Sequence, residues 1–500
     1  MAYLMGIDLG TSSVKTIIID IDGNVKAMAQ EEYSIEIPYE GYAEQRPEIW
    51  WKATVNTIKE ALAKSGIKSS EIKGIGLSGQ MHGMVLIDKN LKVIRPAIIW
   101  CDQRSKSEVD AIYKKIGRDK LGRLTLNPVA TGFQISSLLW VKYNEYQNYN
   151  NTYKVLLPKD YIRLRLTNEI GTDITDASST LAFDTSNRKW SEYIIKALEL
   201  DIDKYPGCYN PFDLAGVVTR EASQETGLAC GTPVVFGGGD QPMQAVGNGV
   251  IYPGIVSSTI GTGGQVFTVI DKPLYDDELR THTFCNAIPG TWNIMGASLC
   301  SGLSLRWLRD NILNGLDYHI IDEMASNILP GSEGLIFLPY LTGERTPHMD
   351  PYAKGIFFGL SLKHTNAHMI RAVLEGVTFS LRDSLEIFKQ MGIKMDRLVA
   401  SGGGARSSLW LQIQADVFGV EVYRSKATEH ACMGAAIMAG VGTGVYASVQ
   451  EACEHIVKYH QEPVLPNSKN MEIYNYYYGI YKEIYPRNKD LFKRIGEYCC

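Results

Sequence analysis

Two short stretches half a chain apart carry the same turn. "GIDLGTSSVKTIIID", from Gly6, reads as strand, tight turn and strand, and "TIGTGGQVFTVID", from Thr259, reads the same way. Laid together, Gly10 and Thr11 fall on Gly261 and Thr262, and Asp20 falls on Asp271. A glycine turn between strands lets backbone N–H groups approach an anion with no side chain in the way, and the threonine hydroxyl adds a donor. One such turn is common in ordinary hairpins. Two of matching sequence point to two related domains that face a cleft and offer their loops to one polyphosphate.

The chain of 500 residues is long enough for roughly two to four domains. Strands and helices alternate, which favours a mixed or parallel sheet covered by helices, an α/β fold. "RPEIWWKATVNTIKEALAKSG" predicts a helix with Pro47 in its first turn and Gly66 at its stop. "NAHMIRAVLEGVTFSLRDSLEIFKQMG" predicts a long helix ending at Gly392, and "RLVASGGGARSSLWLQIQADVFG" predicts strand, glycine loop and helix. "GVGTGV" (Gly440–Val445) follows an apolar helical stretch rather than a strand, so it reads as a helix terminus and not as a dinucleotide loop. The expected divisions are residues 1–248, 249–445 and a helical tail, 446–500. In that tail Tyr474, Tyr478, Tyr481 and Tyr485 share a helical face, a stripe suited to packing on a domain.

A net charge of −5 gives no reason to expect nucleic acid or an acidic membrane as partner. No apolar stretch approaches the length of a membrane span, and "MAYLMGIDLG" runs into a strand pattern without a basic leader. The nine cysteines are odd in number and lack zinc spacing, as expected of thiols in a reducing cytoplasm. GxxxxGK[ST] does not occur, so the chain is not a P-loop protein.

Asp240, in "GGGDQPMQAVG", follows a buried strand and three glycines, at the edge where α/β sheets place reactive groups. An aspartate there also suits a helix cap, and Asp8 equally suits bonding to nearby backbone N–H groups. A carboxylate beside each phosphate turn is what metal-assisted phosphoryl transfer needs. One positions Mg²⁺, usually through water, and the other accepts the proton of the attacking hydroxyl.

In order along the chain, "GIDLGTSSVK", "GLSGQMHGMVLID", "RPAIIWCDQRS", "VLLPKDYIRLRLT", "GGGDQ", "FLPYLTGERTPHMDPYAKGIFFGL", "RAVLEG" and "SGGGARSSLWLQIQAD" resemble the motifs of the FGGY carbohydrate kinases, those acting on xylulose most of all. The resemblance spans about Gly6 to about Gly440. It implies the actin-like ATPase fold, two RNase H-like domains around a central cleft, and transfer of the γ-phosphate of ATP, with Mg²⁺, to the 5-hydroxyl of D-xylulose. Carried across, Asp240 resembles the catalytic base and Asp8 the aspartate that positions Mg²⁺, with Asp240 beside it. Gly10, Thr11 and Ser12, with Gly261, Thr262 and Gly263, match the phosphate turns. Gly402, Gly403, Gly404 and Ala405 match the loop that receives the adenosine. Met81 and His82 match the sugar-contacting pair, while Trp100, Asp102 and Gln241 are expected to line the sugar pocket. Arg345 and His348 in "GERTPH" receive no chemical role, and turn packing suits them as well.

Three positions depart from the family pattern: Gln241 stands where asparagine is frequent, Cys101 where asparagine is frequent, and Ser137 where lysine is usual. None touches the expected base or turns, so the departures bear on the choice of sugar, with glycerol, gluconate and ribulose as alternatives. A homodimer is the expected assembly. A chaperone ATPase of the same fold would need a further peptide-binding domain, for which the tail after Gly444 is too short, and a filament-forming relative would need polymerisation surfaces.

Overall fold

The computed structural model describes residues 2–498. In the first half, β1 (Tyr3–Leu9), β2 (Ser13–Asp20), β3 (Val25–Glu32) and β4 (Ile72–Gly79) combine with β5 (Leu214–Val217), β6 (Pro233–Val235) and β7 (Gly238–Gly239). The sheet order is β5-β6-β4-β1-β2-β3, with β7 beside β4. In the second half, β8 (Gly254–Ile260), β9 (Gly264–Ile270), β10 (His282–Cys285), β11 (Trp292–Ser298), β12 (Met395–Gly402) and β13 (Val422–Arg424) form a sheet of order β10-β11-β9-β8-β12-β13.

The two sheets repeat one pattern. β1 runs antiparallel to β2 and parallel to β4, just as β8 runs antiparallel to β9 and parallel to β12. The duplicated turn therefore sits at the same corner of both domains. The central strands are covered on both faces, which is why they read as unbroken apolar runs: Leu4, Met5 and Ile7 are wholly buried.

Helix α1 (Pro47–Ser65) has Pro47 in its first turn, and its Gly66 cap is left-handed at φ 65°, as its sequence predicts. It covers β2 and β3, while α2 (Pro158–Thr167) packs on β4 and β5. From β7 the chain turns directly into α3 (Asp240–Gly247). In the second domain α4 (Gly302–Asn311), α5 (Tyr318–Ser326), α6 (Asn366–Gln390) and α7 (Ser408–Phe418) surround one large core.

Helix α8 (His430–Gly442) falls within the expected second division, 249–445, and reaches back to the first domain, lying on β1 and β4 of the first sheet and against α3. A Cβ at Gly6 would sit 1.9 Å from the Cys432 carbonyl oxygen, and one at Gly76 1.8 Å from that of Ala435. Gly434 meets the Met243 carbonyl in α3 as closely, at 1.9 Å. Small residues thus let helix and sheet touch backbone to backbone. The tail is also split. Helix α9 (Val449–Ile456) stays with α8, and α10 (Ser468–Tyr498) packs on the second domain. Its tyrosine stripe is buried there, with Tyr474 bonded to Glu375, Tyr478 to Asp383 and Tyr485 to Asp350.

The chain crosses between the domains at residues 248–253, 425–429 and 457–467, and these crossings meet. Tyr459 donates to the Asn248 carbonyl at 2.6 Å, and Lys426 N–H donates to the Lys458 carbonyl at 2.9 Å. The domains touch again where β10 meets the first domain. Asn127 Nδ2 donates to the Thr283 carbonyl at 2.6 Å, Cys285 N–H to Ser178 Oγ at 3.0 Å and Trp292 Nε1 to the Thr185 carbonyl at 2.8 Å.

Among the described residues no helix is long and apolar enough to cross a membrane, and the seven described cysteines are free. Cys499 and Cys500 lie outside the described residues.

Candidate active site

Each duplicated turn is closed by its own backbone. Gly10 N–H donates to the Ser13 carbonyl at 3.0 Å, and Gly261 N–H donates to the Gly263 carbonyl at 2.9 Å. Trp100 Nε1 donates to Thr11 Oγ1 at 2.8 Å, which leaves the threonine proton free for another acceptor. At the second turn α4 presses in so closely that a Cβ at Gly302 would lie 2.3 Å from the Gly261 carbonyl oxygen.

Two cavities meet at this second turn. The first, about 460 Å³, opens between the domains. Its first-domain wall carries Thr11, Met81, His82, Trp100, Asp240 and Gln241, and Gly261–Gln265 and Arg345 face them from the second domain. The other, about 980 Å³, lies between α4, α5 and the loop at Gly403 and Gly404. Gly261 and Thr262 line both. A nucleotide-sized ligand in the larger cavity can therefore pass its terminal phosphates over the turn into the smaller one.

Most of the expected residues thus converge, with differences in detail. Gly10 and Ser12 shape the first turn, but only Thr11 of that turn lines the cavity. Gly402 and Ala405 flank the larger cavity without lining it. Gly402 is left-handed at φ 77°, and a Cβ there would lie 2.5 Å from the Ile260 carbonyl oxygen, so it seats the loop on β8.

Asp102 is a correction. It is wholly buried and off the cavity wall; its carboxylate takes the Arg104 guanidinium at 2.8 to 3.0 Å and Ala43 N–H at 2.6 Å. The signal was the arginine two residues on, which satisfies the carboxylate locally. His348 is likewise structural, stacked on Tyr485 at 3.6 Å and bonded to the Tyr340 hydroxyl.

His82 is held in a left-handed conformation, φ 68°, with Nδ1 2.9 Å from the Ser179 carbonyl oxygen. A carbonyl only accepts, so Nδ1 carries the proton. Burial lowers the ring's pKa to about 4, with the Arg345 charge adding to the effect. The neutral ring therefore presents Nε2 as an acceptor.

Asp240 begins α3 on the cavity wall. Burial, and then the charge of Asp8, push its pKa up to about 7. Burial also raises Asp8, against a bond from Ser78 Oγ at 2.7 Å. Lys15 offsets the Asp8 charge in part, while its ammonium is paired with Glu429 at 2.7 Å. Two mutually repelling carboxylates are a natural seat for a divalent cation. Among the described residues no group of three or more His, Cys, Asp or Glu could hold a metal. Two carboxylates with the rest of the shell left to water and phosphate suit Mg²⁺.

Sequence reasoning missed the support beneath this floor. Lys159 Nζ stands 2.8, 2.7 and 3.2 Å from Asp160, Asp173 and Asp176, all wholly buried. Asp176 backs Gly239, where a Cβ would lie 2.8 Å from Met81 and 3.2 Å from Asp176. "PKD" reads as an ordinary first turn of a helix, and nothing local marks its distant partners.

Two family models match the chain, the N-terminal domain of the FGGY family of carbohydrate kinases over residues 3–247 and its C-terminal domain over residues 256–443. A xylulose kinase of Staphylococcus epidermidis is 38% identical over 488 residues, 98% of this chain and 97% of the relative. A gluconokinase of Bacillus subtilis is 31% identical, covering 94% and 93%. The crystal structure of a ligand-bound xylulose kinase from Lactobacillus acidophilus superposes with a TM-score of 0.94 at 25% identity, over 99% of this chain and all of that one.

Proposed function

The chain belongs to the FGGY family of carbohydrate kinases, and from that we propose that it transfers the γ-phosphate of ATP to the 5-hydroxyl of D-xylulose. The observation that carries the reading is the meeting of a nucleotide-sized and a sugar-sized cavity at Gly261–Thr262, with Asp240 on the facing wall. The likeness to xylulose kinases over nearly the whole chain supports the choice of sugar.

In this reading the sugar lies against Met81, His82, Trp100 and Gln241. His82 Nε2 accepts from a sugar hydroxyl, and Asp240 takes the proton of the attacking oxygen. The turns at Thr11 and Gly261–Gly263 hold the phosphates, and Gly403 and Gly404 face the adenosine. A divalent cation, taken here as Mg²⁺ beside Asp8 and Asp240, supplies charge neutralisation of the phosphates. Closure around both ligands excludes water and limits wasteful hydrolysis. The reading also takes the enzyme to work in a reducing cytoplasm, in keeping with the free thiols of its seven described cysteines, and as a homodimer, which its mass in solution would check.

Gluconate is the second reading, because the gluconokinase relative covers nearly the whole chain as well. The test is ADP release with ATP and Mg²⁺ across D-xylulose, L-xylulose, D-ribulose, L-ribulose, gluconate, glycerol and no sugar. Preference for D-xylulose is expected. Stronger turnover on another member discards the substrate and keeps the kinase.

A further inference from the structure

One charged residue of the cleft has no part in the chemistry above. Arg345 is the cation on the wall of the smaller cavity among the described residues, since His82 is neutral there. Its loop is firmly held. Arg345 N–H donates to Glu344 Oε1 at 2.7 Å, and the Glu344 carboxyl is pinned by Ser298 Oγ at 2.9 Å and Leu299 N–H at 3.0 Å. Thr346 N–H donates to the Ala297 carbonyl at 3.0 Å. The loop is thus fastened to the end of β11, which itself lines the cavity.

The guanidinium is not engaged in the same way. None of its five N–H donors has a hydrogen-bond or ion-pair partner among the described residues, and its one close neighbour is the Trp100 ring. The carboxylate nearest in chain, Glu344, spends its oxygens on Ser298, Leu299 N–H and the Arg345 backbone, and burial raises its own pKa to about 7. The side chain is half-buried on the cleft wall, so these donors stand open to an anionic ligand there.

Its surroundings say which ligand. The guanidinium carbon lies 5.8 Å from the centroid of the Trp100 ring, and Trp100 is bonded to Thr11 of the first phosphate turn. His82, the proposed sugar contact, lines the same cavity and feels the Arg345 charge. Arg345 therefore faces the junction of sugar wall and phosphate turn. The other charged groups there, Asp8 and Asp240, are carboxyls, and Lys15 is committed to Glu429. A phosphoryl group crossing this junction spreads negative charge over three oxygens, and among the described residues Arg345 is the arginine or lysine that lines the smaller cavity.

We propose that Arg345 is a catalytic residue that binds the phosphoryl group during transfer and then holds it as the sugar's phosphate ester. The proposal rests on the kinase reading. A lone pair of the sugar oxygen forms the new O–P bond, and the β,γ-bridging oxygen leaves with the pair of the broken P–O bond as part of ADP. The hydroxyl proton passes to Asp240, and the guanidinium keeps its charge throughout while donating to the oxygens that phosphorus carries across. The same donors would fit a carboxylate on the acceptor, such as that of gluconate, and the experiment separates the two.

The test compares wild type with Arg345→Gln and Arg345→Lys, measuring kcat, KM and calorimetric binding of free D-xylulose, D-xylulose 5-phosphate and gluconate. For Arg345→Gln, kcat should fall about 10²- to 10³-fold with KM for the sugar within about threefold. Affinity for the 5-phosphate should fall at least about tenfold while the free sugar binds as before, and lysine should recover part of both losses. Equal weakening of sugar and sugar phosphate would make Arg345 a hydroxyl contact and overturn the proposal. So would an effect confined to gluconate, or a lower melting temperature with unchanged kinetics. If wild type prefers another acceptor, the substrate reading fails by itself, and the comparison is run with that acceptor and its phosphate ester.

Discussion

Replacing Asp240 by asparagine should destroy activity and stabilise the protein, and both effects follow from one carboxylate. The side chain keeps its shape, but an amide cannot take the proton of the attacking hydroxyl. Loss of a general base costs about 10²- to 10⁴-fold in kcat. Stability moves the other way because burial and Asp8 raise the Asp240 pKa from 3.8 to about 7. The unfolded chain then loses this proton near pH 4 and the folded chain near pH 7. Between those values the folded state binds more protons, so stability falls as pH rises and levels off above about 7. At about 1.4 kcal/mol for each pKa unit the full cost is roughly 4 kcal/mol, and water in the open cleft screens it to about 2 kcal/mol. Asparagine carries no such cost. Denaturant midpoints of wild type and Asp240→Asn at pH 5 and pH 8 measure the difference. We expect the variant to be more stable by about 2 kcal/mol at pH 8 and by less than half of that at pH 5. An equal advantage at both pH values, or none at pH 8, would refute the claim that the native fold holds Asp240 against its charge.

The same carboxyl sets the pH profile: kcat/KM should rise with pH through a limb near 7, since the base must be ionised, and raising the Mg²⁺ concentration should move the limb to lower pH. A limb that ignores Mg²⁺ would place the cation away from Asp240. His82→Ala should raise KM for the sugar about tenfold or more with KM for ATP within about twofold, because the lost acceptor faces the sugar wall. Equal changes in both would make His82 a packing residue. Gly434→Ala should destabilise by about 2–3 kcal/mol although alanine favours a helix, because the new methyl would meet the Met243 carbonyl, a backbone atom that cannot step aside. Calorimetric unfolding of that variant gives the answer directly.

The duplicated turn was readable because a glycine beside a threonine between two apolar runs is a local pattern, and everything it needs lies within a few residues. Met81 and His82, which line the smaller cavity, were singled out by the resemblance that "GQMHG" carries rather than by a local physical pattern. The place of helix α8 was not readable. Cys432, Met433, Ala435, Ala436, Ile437 and Met438 are all buried, so its apolar residues cover every side and no face says which sheet it lies on. Gly440 reads as helix punctuation, whereas nothing in the sequence marks Gly434, which makes room for another backbone. Asp102 misled because a carboxylate in a site motif draws attention, while Arg104 beside it already answered for the charge. Helix α5 adds Tyr318, His319 and Asp322 to the larger cavity without any motif, since only the fold of the second domain brings it there.

The three meeting crossings and the docked edge of β10 have a mechanical consequence. Two rigid bodies on a loose tether have six relative degrees of freedom. Here the crossings are pinned together through Tyr459 and Lys426, and a second set of bonds holds β10 to the first domain. The motion that keeps both sets intact is rotation about the line joining them, a single coordinate. On the proposed function, the nucleotide and the sugar would then act on the same angle, and whichever binds first would bias the geometry that the second one meets.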